Sequence, residues 1–93
     1  MTTTTTFHLR ITGRVQGVGY RMSMVAMAQQ LVIKGWVRNC RDGSVEAVVH
    51  GEQAVVDDLI AWARLGPPNG RVDDVKVSPA EGHFIAFSAR PDA

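Results

Sequence analysis

Phe7-His8-Leu9-Arg10-Ile11-Thr12-Gly13-Arg14-Val15-Gln16-Gly17-Val18-Gly19-Tyr20-Arg21 changes its periodicity partway along. Phe7, Leu9 and Ile11 alternate with His8, Arg10 and Thr12, the period-two pattern of a strand with one buried face. From Arg21 to Ile33 the chain is rich in Met and Ala and holds neither Gly nor Pro, which predicts a helix. Val25, Ala28 and Leu31 or Val32 give that helix an apolar stripe. Between strand and helix lie three glycines, which let a backbone turn tightly and bring its N–H groups close to a ligand. No acidic residue interrupts Gly13 to Arg21. Arg21 faces the positive end of the helix dipole, a conflict that a bound anion would relieve. The expectation is a phosphate cradle; the alternative is a glycine-rich strand-to-helix turn that binds nothing. The stretch lacks the Gly-Lys-Ser/Thr ending of a P-loop and the dinucleotide fingerprint, so neither ATP nor a nicotinamide cofactor is expected.

Outward from this stretch the remaining elements follow in turn. Gly35 breaks the first helix, and Trp36 to Cys40 reads as a second strand. Arg41-Asp42-Gly43-Ser44 carries the Asp-Gly signal of a tight hairpin into a third strand, Val45 to His50. A second helix is predicted from Gln53 to Leu65, with a stripe of Val55, Val56, Leu59, Ile60 and Ala63. Gly66-Pro67-Pro68 stops it. Val72 to Val77 and Phe84 to Ala89 are the last strand candidates, separated by the turn-prone Ser78 to Gly82. The order β-α-β-β-α-β with an extra strand predicts an α+β protein. Its fold is the ferredoxin-like split βαβ sandwich, an antiparallel sheet of four to five strands with two helices on one face. Residues 7–90 form the expected domain, with a flexible Thr-rich tail over 1–6 and a short tail over 91–93.

Ninety-three residues, 45% of them hydrophobic, suit one domain with a single core. One cysteine excludes an internal disulfide and suits a reducing compartment. A net charge of +1 with dispersed charges favours neither nucleic-acid nor membrane partners. There is no apolar run of membrane-spanning length, and Met1 to Thr6 lacks the features of a secretory signal. A cytoplasmic monomer is expected. His8, His50 and His83 are scattered and make no zinc spacing with Cys40, so no metal is expected. Cys40 adjoins Asn39, but successive strand residues point to opposite faces, and a buried structural thiol is expected. Met22, Met24 and Met27 read as core filler, and Asp73-Asp74 as a solvated strand entry. Arg10, Arg14, Arg38 and Arg41 either steer anions or are ordinary solvated charges.

Two segments together carry more than a fold. Gly13 to Arg21, and Gly35-Trp36-Val37-Arg38-Asn39 with Asp42-Gly43-Ser44-Val45-Glu46, closely resemble the two signature segments of acylphosphatases in sequence and spacing. Ala28, Leu31, Trp62, Gly66-Pro67-Pro68, Val72 and Val75 agree as well, so the resemblance covers about Leu9 to Phe87. It implies a small metal-free, cofactor-free hydrolase acting on the carboxyl–phosphate bond of acyl phosphates. The resemblance implies that the loop of Val15, Gln16, Gly17, Val18, Gly19 and Tyr20 binds phosphate through backbone N–H groups. It assigns Arg21 to phosphate binding and catalysis, and Asn39 to the positioning of the attacking water. The chain departs from the family pattern in three places. Leu31-Val32-Ile33 stands where the family usually has Gly between two leucines. Either Val32 adopts a strained helix cap, or the helix runs on to Gly35. Tyr20 replaces the more usual Phe, and Arg90 to Ala93 extends past the usual aromatic end.

The rival reading is a non-catalytic anion-binding or regulatory ferredoxin-like module, since fold does not fix function. RNA recognition would want RNP-like stacking aromatics, which the chain lacks. An acylphosphatase-like accessory domain, as in hydrogenase maturation proteins, would come with cysteine-rich zinc motifs, also lacking here.

Overall fold

A computed structural model describes residues 3–93. Its elements are β1 (Thr4–Arg14), α1 (Tyr20–Gln30), β2 (Lys34–Asn39), β3 (Val45–Glu52), α2 (Gln53–Leu65), β4 (Arg71–Pro79) and β5 (Phe87–Ala89). They form one five-stranded sheet in the order β4-β1-β3-β2-β5 with two helices, the ferredoxin-like α+β fold. The period-two pattern of β1 to β3 sends Leu9, Ile11, Val37, Val45, Ala47 and Val49 to one face, where all are fully buried. Tyr20, Met24 and Ala28 of α1 and Val56, Leu59 and Ala63 of α2 close the other side of that core. The opposite sheet face carries His8, Arg10, Trp36, Arg38 and Glu46. Among the described residues no helix is long and apolar enough to cross a membrane.

Several boundaries differ from the sequence-based expectation. β1 begins at Thr4, with Thr4 paired to Glu52 and the Gln53 N–H donating to Thr3 O at 2.8 Å. Threonine favours extended backbone, and β3 is long enough to receive it, so the part of the expected tail from Thr4 onward lies in the sheet. Met1 and Thr2, the start of that tail, lie outside the described residues. β5 is shorter than expected and runs parallel to β2, which makes the sheet mixed. Residues 80–86 carry the chain from one edge of the sheet to the other, tied by Ala80 N–H to Thr6 O (3.1 Å) and Gly35 N–H to Ala86 O (2.9 Å). Met24 is buried and Met27 packs on the core, but Met22 is 67% exposed because α1 turns it outward. Cys40 is only partly buried, since it already belongs to the hairpin turn beyond β2.

α1 stops at Gln30. The Val32 N–H donates to Gln29 O (3.2 Å) and the Ile33 N–H to Ala28 O (2.8 Å), the Schellman pattern. Val32 takes the left-handed position, with φ 58°, and its side chain is 77% exposed. Of the two alternatives for this departure, the strained cap is the one observed. Tyr20 is fully buried, and its hydroxyl donates to Ala63 O at 2.8 Å, a bond between the two helices that phenylalanine could not make. Burial pushes its phenol far above the ordinary range.

Candidate active site

Residues 15–19 hang between the end of β1 and the start of α1. Val15 is buried and Val18 packs against the core, so the apolar side chains anchor the loop inward. Gly17 (φ 73°) and Gly19 (φ 82°) take left-handed conformations that a side chain would strain. Gly19 is the N-cap of α1, and no side chain caps that terminus. The first turn contains no acidic residue. The opening N–H groups of the helix are therefore available to an anion, and the dipole favours one there. Arg21 is the second residue of the helix, with its side chain about one-third exposed (35%).

Asn39 ends β2 and pairs with Val45 at the mouth of the following hairpin. It is buried, and among the described residues nothing donates a hydrogen bond to its Oδ1. The hairpin beyond it is closed by Cys40 N–H to Ser44 O (2.8 Å) and Gly43 N–H to Cys40 O (3.2 Å). Asp42 Oδ1 accepts from both Ser44 Oγ (2.6 Å) and Ser44 N (3.0 Å). Those two bonds hold the Asp42 carboxyl below the usual carboxylate range. The side chain of Gln16 reaches across from the loop, its Nε2 donating to Cys40 O at 2.7 Å and Ser44 O at 2.8 Å.

The C-terminal residues complete the arrangement. Beyond β5 the chain continues along β2, with Arg90 N–H donating to Val37 O (2.8 Å) and Ala93 N–H to Asn39 O (2.9 Å). Asp92, just before Ala93, puts Oδ1 3.3 Å from Nη1 of Arg21. Consecutive tail residues thus touch Arg21 and Asn39, so the fold brings the two predicted site residues and the loop to one end of the molecule. Sequence reasoning missed two participants, the Gln16 side chain and the Asp92 carboxylate. The glycine pattern around Gln16 points to its backbone alone, and no local pattern connects residue 92 to residue 21.

The other candidates divide between the open sheet face and the rim of this arrangement. His8 Nε2 bonds Glu46 Oε2 (2.8 Å) on the open sheet face, and His50 Nδ1 lies 2.6 Å from Thr6 Oγ1. Among the described residues no three His, Cys, Asp or Glu side chains form a group that could hold a metal ion. Arg10 bonds Ser44 Oγ (2.9 Å), Arg38 pairs with Glu46, and Arg41 Nε donates to Ala93 O (3.3 Å).

The acylphosphatase family model matches residues 7–88. An acylphosphatase of Thiobacillus denitrificans is 52% identical over 87 residues, covering 94% of this chain and 98% of its own. The structure of an acylphosphatase from Coxiella burnetii superimposes with a TM-score of 0.89 at 34% identity, covering 94% of this chain and 93% of that one. Full-length HypF, solved in a phosphate- and nucleotide-bound form, contains a region that matches 99% of this chain with a TM-score of 0.88 at 25% identity. That region is 12% of the HypF chain.

Proposed function

This chain belongs to the acylphosphatase family of acid-anhydride hydrolases, and we propose that it cleaves acyl phosphates by direct attack of a water held by Asn39 on a phosphoryl group held by Arg21 and the loop amides. The observation that carries this reading is the buried, unpartnered amide oxygen of Asn39, a residue whose backbone carbonyl accepts from the Ala93 N–H while the adjacent Asp92 pairs with Arg21. A buried acceptor takes a hydrogen bond from water when no protein donor serves it. A water donating to Oδ1 has its lone pairs free to turn toward phosphorus. A carboxylate in place of Asn39 would repel the phosphate dianion.

The substrate is a mixed anhydride. The water oxygen bonds to phosphorus while the bond from phosphorus to the acyl oxygen breaks, and the electron pair leaves on the carboxylate. Carboxylic acids have a pKa near ~4, so this leaving group departs at neutral pH without a general acid. The water's proton passes to a phosphate oxygen. What remains is positioning and neutralisation of charge on the equatorial oxygens, which suits the fixed loop amides and the planar guanidinium of Arg21.

The test is hydrolysis of benzoyl phosphate, with and without chelator, by the parent and by Arg21→Ala and Asn39→Ala checked for folding. Turnover unaffected by chelator is expected, with each variant slowed on the order of 10²-fold or more. A folded parent without turnover would favour the anion-binding module instead.

A further inference from the structure

The pairing of β1 shows how little main chain connects the two halves of the site. β1 pairs with β3 only as far as Ile11↔Val45, whereas its pairing with β4 continues to Arg14↔Arg71 through a register shift between Thr12 and Gly13. The last residues of β1 and the loop that follows are therefore carried on the β4 side. Asn39 belongs to the β2–β3 hairpin, on the other side of the split. Among the described residues, the hydrogen bonds joining 15–19 to 40–44 are the two from Gln16 Nε2. That nitrogen has two protons and both are used. Cys40 O also accepts from the Gly43 N–H, and Ser44 O from the Cys40 N–H, so each carbonyl receives two donors.

We infer that the Gln16 side-chain amide is a positioning residue for hydrolysis. It fixes the distance between the phosphate-holding loop and the hairpin that ends in Asn39, and so the alignment of the attacking water with phosphorus. Gln16 touches neither substrate nor water through this amide; it acts through Cys40 and Ser44. This rests on the acyl phosphate hydrolysis proposed above. Loop amides and Arg21 can hold phosphate without the tether, but the in-line geometry depends on it, and misplacement by about 1 Å can cost on the order of 10²-fold in rate.

The variants are Gln16→Ala and Gln16→Met. The second keeps the length and bulk of the side chain and adds no charge, but it offers the two carbonyls no N–H, so it removes both bonds without leaving space. Each is assayed with benzoyl phosphate at a temperature where circular dichroism shows it folded, alongside its inhibition by inorganic phosphate. The expected result is a fall in kcat of roughly 10- to 100-fold, with KM and the phosphate inhibition constant kept within about threefold. A merely structural role would lower the melting temperature and leave kcat of the folded variants intact. Parent-like kcat in either folded variant, or a loss of phosphate affinity as large as the loss of kcat, overturns the inference. If the parent turns over and the variants equal it, the tether alone fails. If the folded parent does not turn over, the hydrolytic reading fails, and the tether's role with it.

Discussion

The guanidinium of Arg21 sits at the positive end of α1 and draws the Asp92 carboxylate to 3.3 Å, so an intramolecular anion meets the group that substrate phosphate would need. Asp92 is exposed, with 67% of its side chain accessible, and such a pair contributes about 1 kcal/mol at most. Replacing it with a neutral residue should therefore tighten phosphate binding modestly. Asp92→Asn is expected to lower the product-inhibition constant for inorganic phosphate by up to roughly fivefold at low ionic strength, and less in high salt. Weaker phosphate binding in the variant would mean that Asp92 orients Arg21 instead of competing for it. Little of this was legible in the sequence. Arg21 and Asn39 could be named from their motifs, since an asparagine before a hairpin is by itself only a turn former. Asp92 could not, because its contact arises from a tail that runs on along β2 at the far edge of the sheet.

Turning from side chains to elements, the end of α1 carries the clearest local conflict. Val32 occupies the left-handed position of a Schellman cap that glycine fills without strain, and its side chain points to solvent, where little packing offsets the cost. A β-branched residue in that conformation costs about 1–2 kcal/mol, part of which glycine would return as chain entropy in the unfolded state. Val32→Gly is thus expected to stabilise the protein by about 1 kcal/mol and to raise the melting temperature by roughly 4–8 °C. Thermal unfolding followed by circular dichroism checks it, and an unchanged or lower midpoint would show that Val32 gains something from its surroundings. The sequence exposed this conflict, though not its resolution. Helical spacing continues past Gln30, and only the bonds from Val32 and Ile33 back to Gln29 and Ala28 show where the helix ends. α2, by contrast, has the predicted bounds, because Gly66 followed by two prolines leaves the chain no way to continue.

Across the whole sheet, strand order is the property that residue patterns specify least. Val72 to Val77 and Phe84 to Ala89 are recognisable as strand candidates, but nothing local in 80–86 requires the chain to cross to the far edge and run parallel to β2. What the assembled sheet then creates on its open face is a charge cluster that no single strand contains. Glu46 of β3 faces His8 and Arg10 of β1 on one side and Arg38 of β2 on the other. Burial alone would raise the Glu46 carboxyl, but the hydrogen bonds from His8 and Arg38 outweigh it, and the net effect is a value below the ordinary 4.5. A carboxyl with a lower pKa when folded than when unfolded adds stability that is fully present above the unfolded value. That stability is lost as pH falls through the folded one. Glu46→Gln should accordingly be less stable than the parent by about 1–3 kcal/mol near neutrality. The gap should begin to narrow as pH drops below about 4.5, where the unfolded chain's carboxyl takes up a proton, and close further as pH falls through the lower folded value. Urea unfolding of both proteins across pH 3 to 7 measures this directly. A gap that stays constant over that range would place the cost in packing rather than in charge. Arg38 directly precedes Asn39 and pairs with Glu46 across the ladder, so the cluster secures the strands that carry the site from the face opposite the helices.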